Sequence, residues 1–192
     1  MMTVSRIPSV PDLARFAELE DEALDFVDPG LGVPEFLERL SGESLHLDAI
    51  RVLAHLLPAR SAVWWGWGCA VQAAGEPVPD DLKPCIEATR AWIAEPSELH
   101  RRAAGDAAET VEDPNPASLA ALAAFMSGGS TAPVGLPDVP APPMVASKLA
   151  AGAVCLAAKN DDMLIMQERL ELYLKQGIEV ARKSGVWPEG GV

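Results

Sequence analysis

Aromatic residues make up only 5% of this 192-residue chain, and a single tyrosine is among them. β-Branched residues never gather into alternating runs, which removes the pattern that half-buried strands need. Histidine is limited to His46, His55 and His100, and cysteine to Cys69, Cys85 and Cys155. There is no Cys-x-x-Cys pair, no His-Glu-x-x-His and no Cys/His pair at ligand spacing, so no metal site is expected. The odd cysteine count without a framework points to reduced thiols, buried as small apolar groups in a reducing compartment. The acidic run near the N-terminus lacks the alternating Asp-x-Asp-x-Asp-Gly loop that calcium requires. Phosphate-binding glycine fingerprints and the Gly-x-Ser-x-Gly nucleophile elbow are missing too, so neither a cofactor nor enzymatic activity is expected.

Cations are also scarce. Fifteen Lys and Arg against 28 Asp and Glu give a formal charge of −13. Such a chain repels nucleic-acid phosphates and anionic membranes, whereas a basic protein partner is attracted. The tryptophan-rich stretch SAVWWGWGCAVQAA, Ser61 to Ala74, has no charge, yet it falls short of the roughly 18 apolar residues a membrane span needs. The N-terminus MMTVSRIPSVPDLARF carries no hydrophobic signal core. A cytoplasmic protein without membrane insertion is expected.

What is abundant is alanine at helical periodicity, and alanine loses no side-chain entropy in a helix. The first expected helix runs from Pro11 to Val27, burying Leu13, Phe16, Ala17, Leu24 and Val27. Its other face carries Glu18, Glu20, Asp21, Glu22 and Asp25, and Asp28-Pro29-Gly30 ends it. Val33, Phe36, Leu37 and Leu40 form a second stripe, with Gly42 as a left-handed cap. A mostly buried helix follows over Leu45–Leu57, where His46 and His55, nine residues apart, face opposite sides after about 900° of rotation.

The tryptophan helix, Ala59–Ala74, is expected at the centre, covered on all sides. Trp64, Trp67 and Val71 share a face, Trp65 points about 100° away, and Gly66, Gly68 and Ala70 leave room for close helix approach. Gly75, Pro77 and Pro79 break the chain. Further helices are expected over Pro84–Ala94 (Cys85, Ala88, Thr89 and Trp92 on one side), Ser97–Val111 with Ser97 as cap, and Pro116–Met126 with Asn115 as cap. The run Thr131–Pro143 reads as a stiff polyproline II loop. Met144–Lys159 is alanine-rich, and Asp162 opens a last helix with Met163, Met166, Leu170, Tyr173, Leu174, Ile178 and Ala181 as its stripe. Arg182 and Lys183 stand at its C-terminal end.

The expected fold is therefore all-α, with about eight or nine helices in an antiparallel bundle or solenoid-like stack around the tryptophan helix. Residues 1–42 read as an N-terminal arm or cap, and 43–192 as the main domain including the proline-rich loop 131–143. Ser61, Gly66 and Cys69 match Ser147, Gly152 and Cys155 at one constant offset, the pattern a duplicated helical unit would leave.

Two candidate surfaces emerge. Arg90, Arg101 and Arg102, with Trp92, lie near in sequence to one another, and Ser127-Gly128-Gly129-Ser130 could supply an amide nest. Together these would take a carboxylate, a phosphate or an acidic peptide. The bland alternatives are internal salt bridges for the arginines and a helix C-cap for the glycines. The second surface is the acidic face of Glu18, Glu20, Asp21, Glu22 and Asp25, against the alternative of a plain solvated face.

LPARSAVWW (Leu57 to Trp65), AWIAEPSELHRRAA (Ala91 to Ala104), AAFMSGGSTAP (Ala123 to Pro133) and VASKLAAGAV (Val145 to Val154) resemble, in order and spacing, an uncharacterised bacterial all-α family of unknown function. The resemblance covers about Leu57 to Ala158 and implies no catalytic residues. It implies an association with type VI secretion gene neighbourhoods and so an accessory role. Met126 departs from it, standing where a larger aromatic residue is expected after Phe125. The leading functional expectation is a protein–protein interaction protein, an adaptor, chaperone or accessory factor. The alternatives are a small-molecule or anion-binding protein and an acidic immunity protein or DNA mimic.

Overall fold

A computed structural model describes residues 7–187. The protein is all-α: among the described residues there are nine α-helices, one 3-10 segment and no β-ladder longer than an isolated bridge. The helices are α1 (Val10–Phe16), α2 (Val33–Gly42), α3 (His46–Leu56), α4 (Ala59–Ala74), α5 (Lys83–Ala94), α6 (Glu98–Glu109), α7 (Pro116–Phe125), α8 (Val145–Ala158) and α9 (Met163–Lys183).

Local chemistry fixes several boundaries. Ser97 accepts the His100 amide at the start of α6. Asn115 and Ser118 form a reciprocal capping box on α7, with Pro116 in the first turn, and Asp162 accepts the Leu164 amide at the start of α9. Each side-chain cap satisfies a donor that the first helical turn cannot pair internally.

The densest packing joins α4 to α8 and both to α7. It is possible because the seam is nearly without side chains. A Cβ on Gly66 would lie 3.2 Å from the Ala150 carbonyl oxygen and 3.3 Å from the Ala153 Cβ. Trp65 points the other way, to α9, where its indole donates to the Tyr173 carbonyl at 2.9 Å. A Cβ on Gly177 would come within 2.6 Å of that indole and 2.7 Å of a Leu53 methyl, so the glycine is the socket for the ring.

Residues 7–42 pack against the helices that follow. Val10, Leu13, Phe36, Leu37 and Leu40 are buried in one hydrophobic cluster with α3, α4 and α9, and α1 and α2 both pack on α3.

Several sequence expectations are corrected. The helix expected over Pro11–Val27 stops at Phe16. Glu18 (φ 52°) and Asp21 (φ 46°) adopt left-handed backbone, and a 3-10 segment covers Asp21–Phe26. Gly42 is the last residue of α2, and the left-handed position is Ser44 (φ 62°). Only Gly66 of the two central α4 glycines serves a helix contact; nothing lies within 4 Å of a Cβ on Gly68. Met163 is exposed, so the buried stripe of α9 is anchored from Leu170.

The proline-rich loop doubles back rather than running extended. Thr131 N–H donates to the Val139 carbonyl at 2.7 Å, and Ala141 N–H to the Gly129 carbonyl at 3.3 Å. The repeated positions in α4 and α8 do not pack alike either. Gly66 faces α8, whereas Gly152 faces Leu119 of α7.

Substituting Gly177→Ala is expected to lower stability by about 1–3 kcal/mol, because the ring beneath it is boxed in. Gly68→Ala, with open space around it, is expected to raise stability by about 0.5–1 kcal/mol through helix propensity. Urea denaturation midpoints of the two variants check both signs at once.

Candidate functional site

The arginine pair sits on α6, where Ser97 starts the helix and Glu98 occupies its first turn. Arg101 is 4% exposed. Its Nε and Nη2 donate to the two carboxylate oxygens of Glu98 at 2.6 and 2.7 Å, Nη2 also to the Ser130 carbonyl at 2.7 Å, and Nη1 to the Phe125 carbonyl. Arg102 donates to Glu98 at 2.7 Å, to the Ala132 carbonyl at 3.0 Å and to the Ser130 carbonyl at 3.3 Å. The guanidinium of Arg101 also lies 4.8 Å from the centroid of the Phe125 ring. One helical turn on, a Cβ at Gly105 would touch that ring at 2.8 Å. Phe125 is thus cradled between Arg101 and Gly105, and this is the aromatic group that fills the end of α7; Met126 is only its C-terminal cap.

The structure therefore joins Arg101, Arg102 and the Gly129–Ser130 segment, as the sequence suggested, but joins them to one another. The forks hold backbone carbonyls at the C-terminal end of α7 and in the loop, where a cation is favoured by the helix dipole. Gly129 (φ 65°) passes close enough that a Cβ would lie 3.0 Å from the Arg101 guanidinium. Ser127 Oγ donates to the Ala124 carbonyl at 2.7 Å, and Ser130 Oγ accepts the Ala132 and Val139 amides at 3.1 Å each. Gly128 is half-buried without a positive φ. Trp92 is buried in the core, and Arg90 is exposed on α5 outside this network. The acidic residues likewise fail to form one helix face. Glu18 pairs with Lys148 of α8, while Glu20, Asp21, Glu22 and Asp25 are exposed around the 3-10 segment.

Two open features were missed by the sequence reading. The first is a groove of about 280 Å³ between α4 and α9, lined by Trp64, Trp67, Gly68, Gln72, Gln176 and Lys183 among others. Trp64 is 43% exposed there, so the tryptophan helix is not covered all round. Trp67 lines the same groove but is half-buried, its indole donating to the Ile86 carbonyl at 2.9 Å. Small Gly68 and polar Gln72, four and eight residues along from Trp64, were the signal of an open stripe.

The second is a cavity of about 350 Å³ lined by Glu18, Glu20, Arg51, His55, Lys148 and Cys155, among others. Arg51 and His55 are four apart on α3; Lys148, Gly152 and Cys155 are four and three apart on α8. Both spacings place side chains on one helix face. His55 is 8% exposed, and its Nδ1 is buried without a hydrogen-bond partner. Burial, reinforced by the Lys148 charge, lowers its pKa to about 4 against a weaker opposing effect of Glu18. Burial pushes the Cys155 thiol up to about 11. The other histidines lie elsewhere: His46 pairs with Gln167 at 3.1 Å, and His100 with the Glu95 carbonyl at 2.9 Å. Among the described residues no group of three or more His, Cys, Asp or Glu is placed to hold a metal ion, and no helix is long and apolar enough to cross a membrane.

These features define an all-α domain whose polar residues mostly serve its own architecture. The chain belongs to DUF6931, a family of unknown function, whose model matches residues 36–181. That region extends beyond the resembling motifs on both sides, taking in most of α2 and nearly all of α9. No curated protein and no solved structure matches the chain.

If the Arg101 fork is architectural, Arg101→Lys should lower stability by about 2 kcal/mol or more, since bonds from a charged donor are lost together. Arg90→Ala should stay within about 0.5 kcal/mol of the parent. Equilibrium urea unfolding distinguishes the two.

A separate expectation concerns pH. Hydrogen bonds from Arg101 hold the Glu98 carboxyl at about 2 against an ordinary 4.5, so its contribution is present above pH 4.5 and is lost as pH falls towards 2. His55 stays neutral in the folded state down to about 4 but is protonated below 6.5 when unfolded, so stability falls as pH drops from 6.5 to 4. Glu98→Gln should flatten the lower window and His55→Phe the upper one, read from denaturation midpoints between pH 2.5 and 7.5, an interval of about 5 units chosen to span both.

Proposed function

We propose that this protein is a non-enzymatic interaction protein, an adaptor, chaperone or accessory factor, acting in the cytoplasm on a basic protein partner. The observation that carries the reading is Trp64. It stands 43% exposed at the mouth of the α4–α9 groove, on the helix that also forms the central packing element. A tryptophan held on a rigid helix and rimmed by glutamines and charged residues has the anatomy of an interface anchor, a large apolar body inside a polar rim. The net charge of −13 favours encounter with a cationic partner over an anionic one.

The non-enzymatic part of the reading is supported by where the hydroxyls and histidines go. Ser127 and Ser130 bond to backbone groups, and His46 and His100 bond to Gln167 and a carbonyl. The anion-binding alternative at the arginine and Ser-Gly-Gly-Ser segment is weakened, because the guanidinium donors are committed to Glu98 and carbonyls. The motif resemblance supplies a setting for the adaptor, beside a bacterial type VI secretion apparatus. The same charge also suits an immunity protein that covers a basic toxin.

Affinity purification of the tagged full chain from its own host at low salt, read by mass spectrometry, should recover a stoichiometric basic partner. Trp64→Ala should weaken that complex about tenfold or more with an unchanged denaturation midpoint, and the complex should loosen as salt rises. Equal retention by Trp64→Ala, or a salt-insensitive complex, would remove the reading.

A further inference from the structure

The cavity beside α3 and α8 shares no lining residue with the Trp64 groove, so what it does is a separate question. Its least comfortable group is His55. An imidazole that is 8% exposed, with Nδ1 buried and unpartnered, has left one hydrogen-bonding atom unpaired in the fold. With its proton on Nε2 the neutral ring leaves a lone pair, and no N–H, unpaired in the interior. With Nδ1 closed off, Nε2 is the nitrogen left to face the cavity that His55 lines, and in that tautomer it offers a donor.

The charges around it are mixed. Lys148 and Glu18 pair with one another, joining α8 to the segment after α1. Arg51 is bonded to Asp48 through one Nη at 3.2 Å and is 48% exposed, which leaves further donors of its fork free. Glu20 is exposed at the same cavity. A simple anion would meet Arg51 and His55 but also two carboxylates. A simple cation would meet the reverse. A ligand carrying one negative and one positive group matches the set without leaving net charge in the cavity. Cys155, held as a thiol, adds a weak donor and no nucleophile. A volume of about 350 Å³ suits a molecule of amino-acid or dipeptide size.

We infer that this cavity is a binding site for a small zwitterion of the α-amino carboxylate class, its carboxylate received by Arg51 and the His55 Nε2–H and its ammonium by Glu20. L-Alanine and propionate differ only in the amine and so isolate the point. Thermal unfolding of the full chain with about 10 mM L-alanine, L-glutamate or glycylglycine should rise by about 2 °C or more, and with propionate or ethylamine should not. Arg51→Gln should reduce the response to all three zwitterions at least about tenfold in apparent affinity. Glu20→Gln should remove the preference of alanine over propionate. Both positions are exposed, so their variants are expected to fold, and the unliganded midpoint verifies it. A shift with none of the three zwitterions, equal shifts with alanine and propionate, or an undiminished response in Arg51→Gln each overturn the assignment.

Discussion

Everything in this domain is arranged around the absence of side chains at two contacts of α4. On one side Gly66 lets the helix lie against the backbone of α8 at Ala150 and Ala153. On the other, the indole of Trp65 occupies the volume a side chain at Gly177 would need. A glycine inside a helix costs roughly 1 kcal/mol in propensity, and these two are offset by packing that no larger residue allows. With α4 fixed between α8 and α9, the positions of α3 and α7 follow, because α3 packs on both α8 and α9 and α7 packs on both α4 and α8.

Polar chemistry plays a structural part of the same kind where α6, α7 and the loop meet. Arg101 is tied through one guanidinium to its own helix, to the last turn of α7 and to the returning loop. A lysine carries charge but cannot span three directions in one plane. The loop needs this hold because its prolines cannot donate hydrogen bonds of their own, and few of its residues bury apolar surface.

Much of the fold was legible. Alanine content, helical stripes and capping residues such as Ser97, Asn115 and Asp162 mark helices in the order the structure has them, because these signals are local. What was not legible depends on neighbours far along the chain. Nothing in Glu18 and Asp21 announces left-handed backbone, so one long N-terminal helix was expected where a break occurs. Gly66 and Gly68 look alike in sequence and differ only in whether α8 lies opposite. Of the candidate site, the meeting of Arg101, Arg102 and Ser130 was readable from composition and punctuation, but not that the loop carbonyls themselves would take the donors. The His55 cavity stayed hidden because its residues come from the start of the chain, α3 and α8, and only their spacing of four hinted at a shared face.

The α4–α8 seam also sets a timetable. Its two halves are separated by the whole stretch from Ala74 to Val145, so the closest packing in the molecule is also distant along the chain. At a synthesis rate of roughly 5–20 residues per second, about 4–14 seconds pass between completion of the first half and arrival of the second. During that interval the tryptophan helix can gain α5 and α7 but has neither α8 nor α9 to cover it. A newly made chain therefore spends its first seconds with apolar surface open to any other nascent chain or to a chaperone, and the fold becomes secure only as its last quarter emerges.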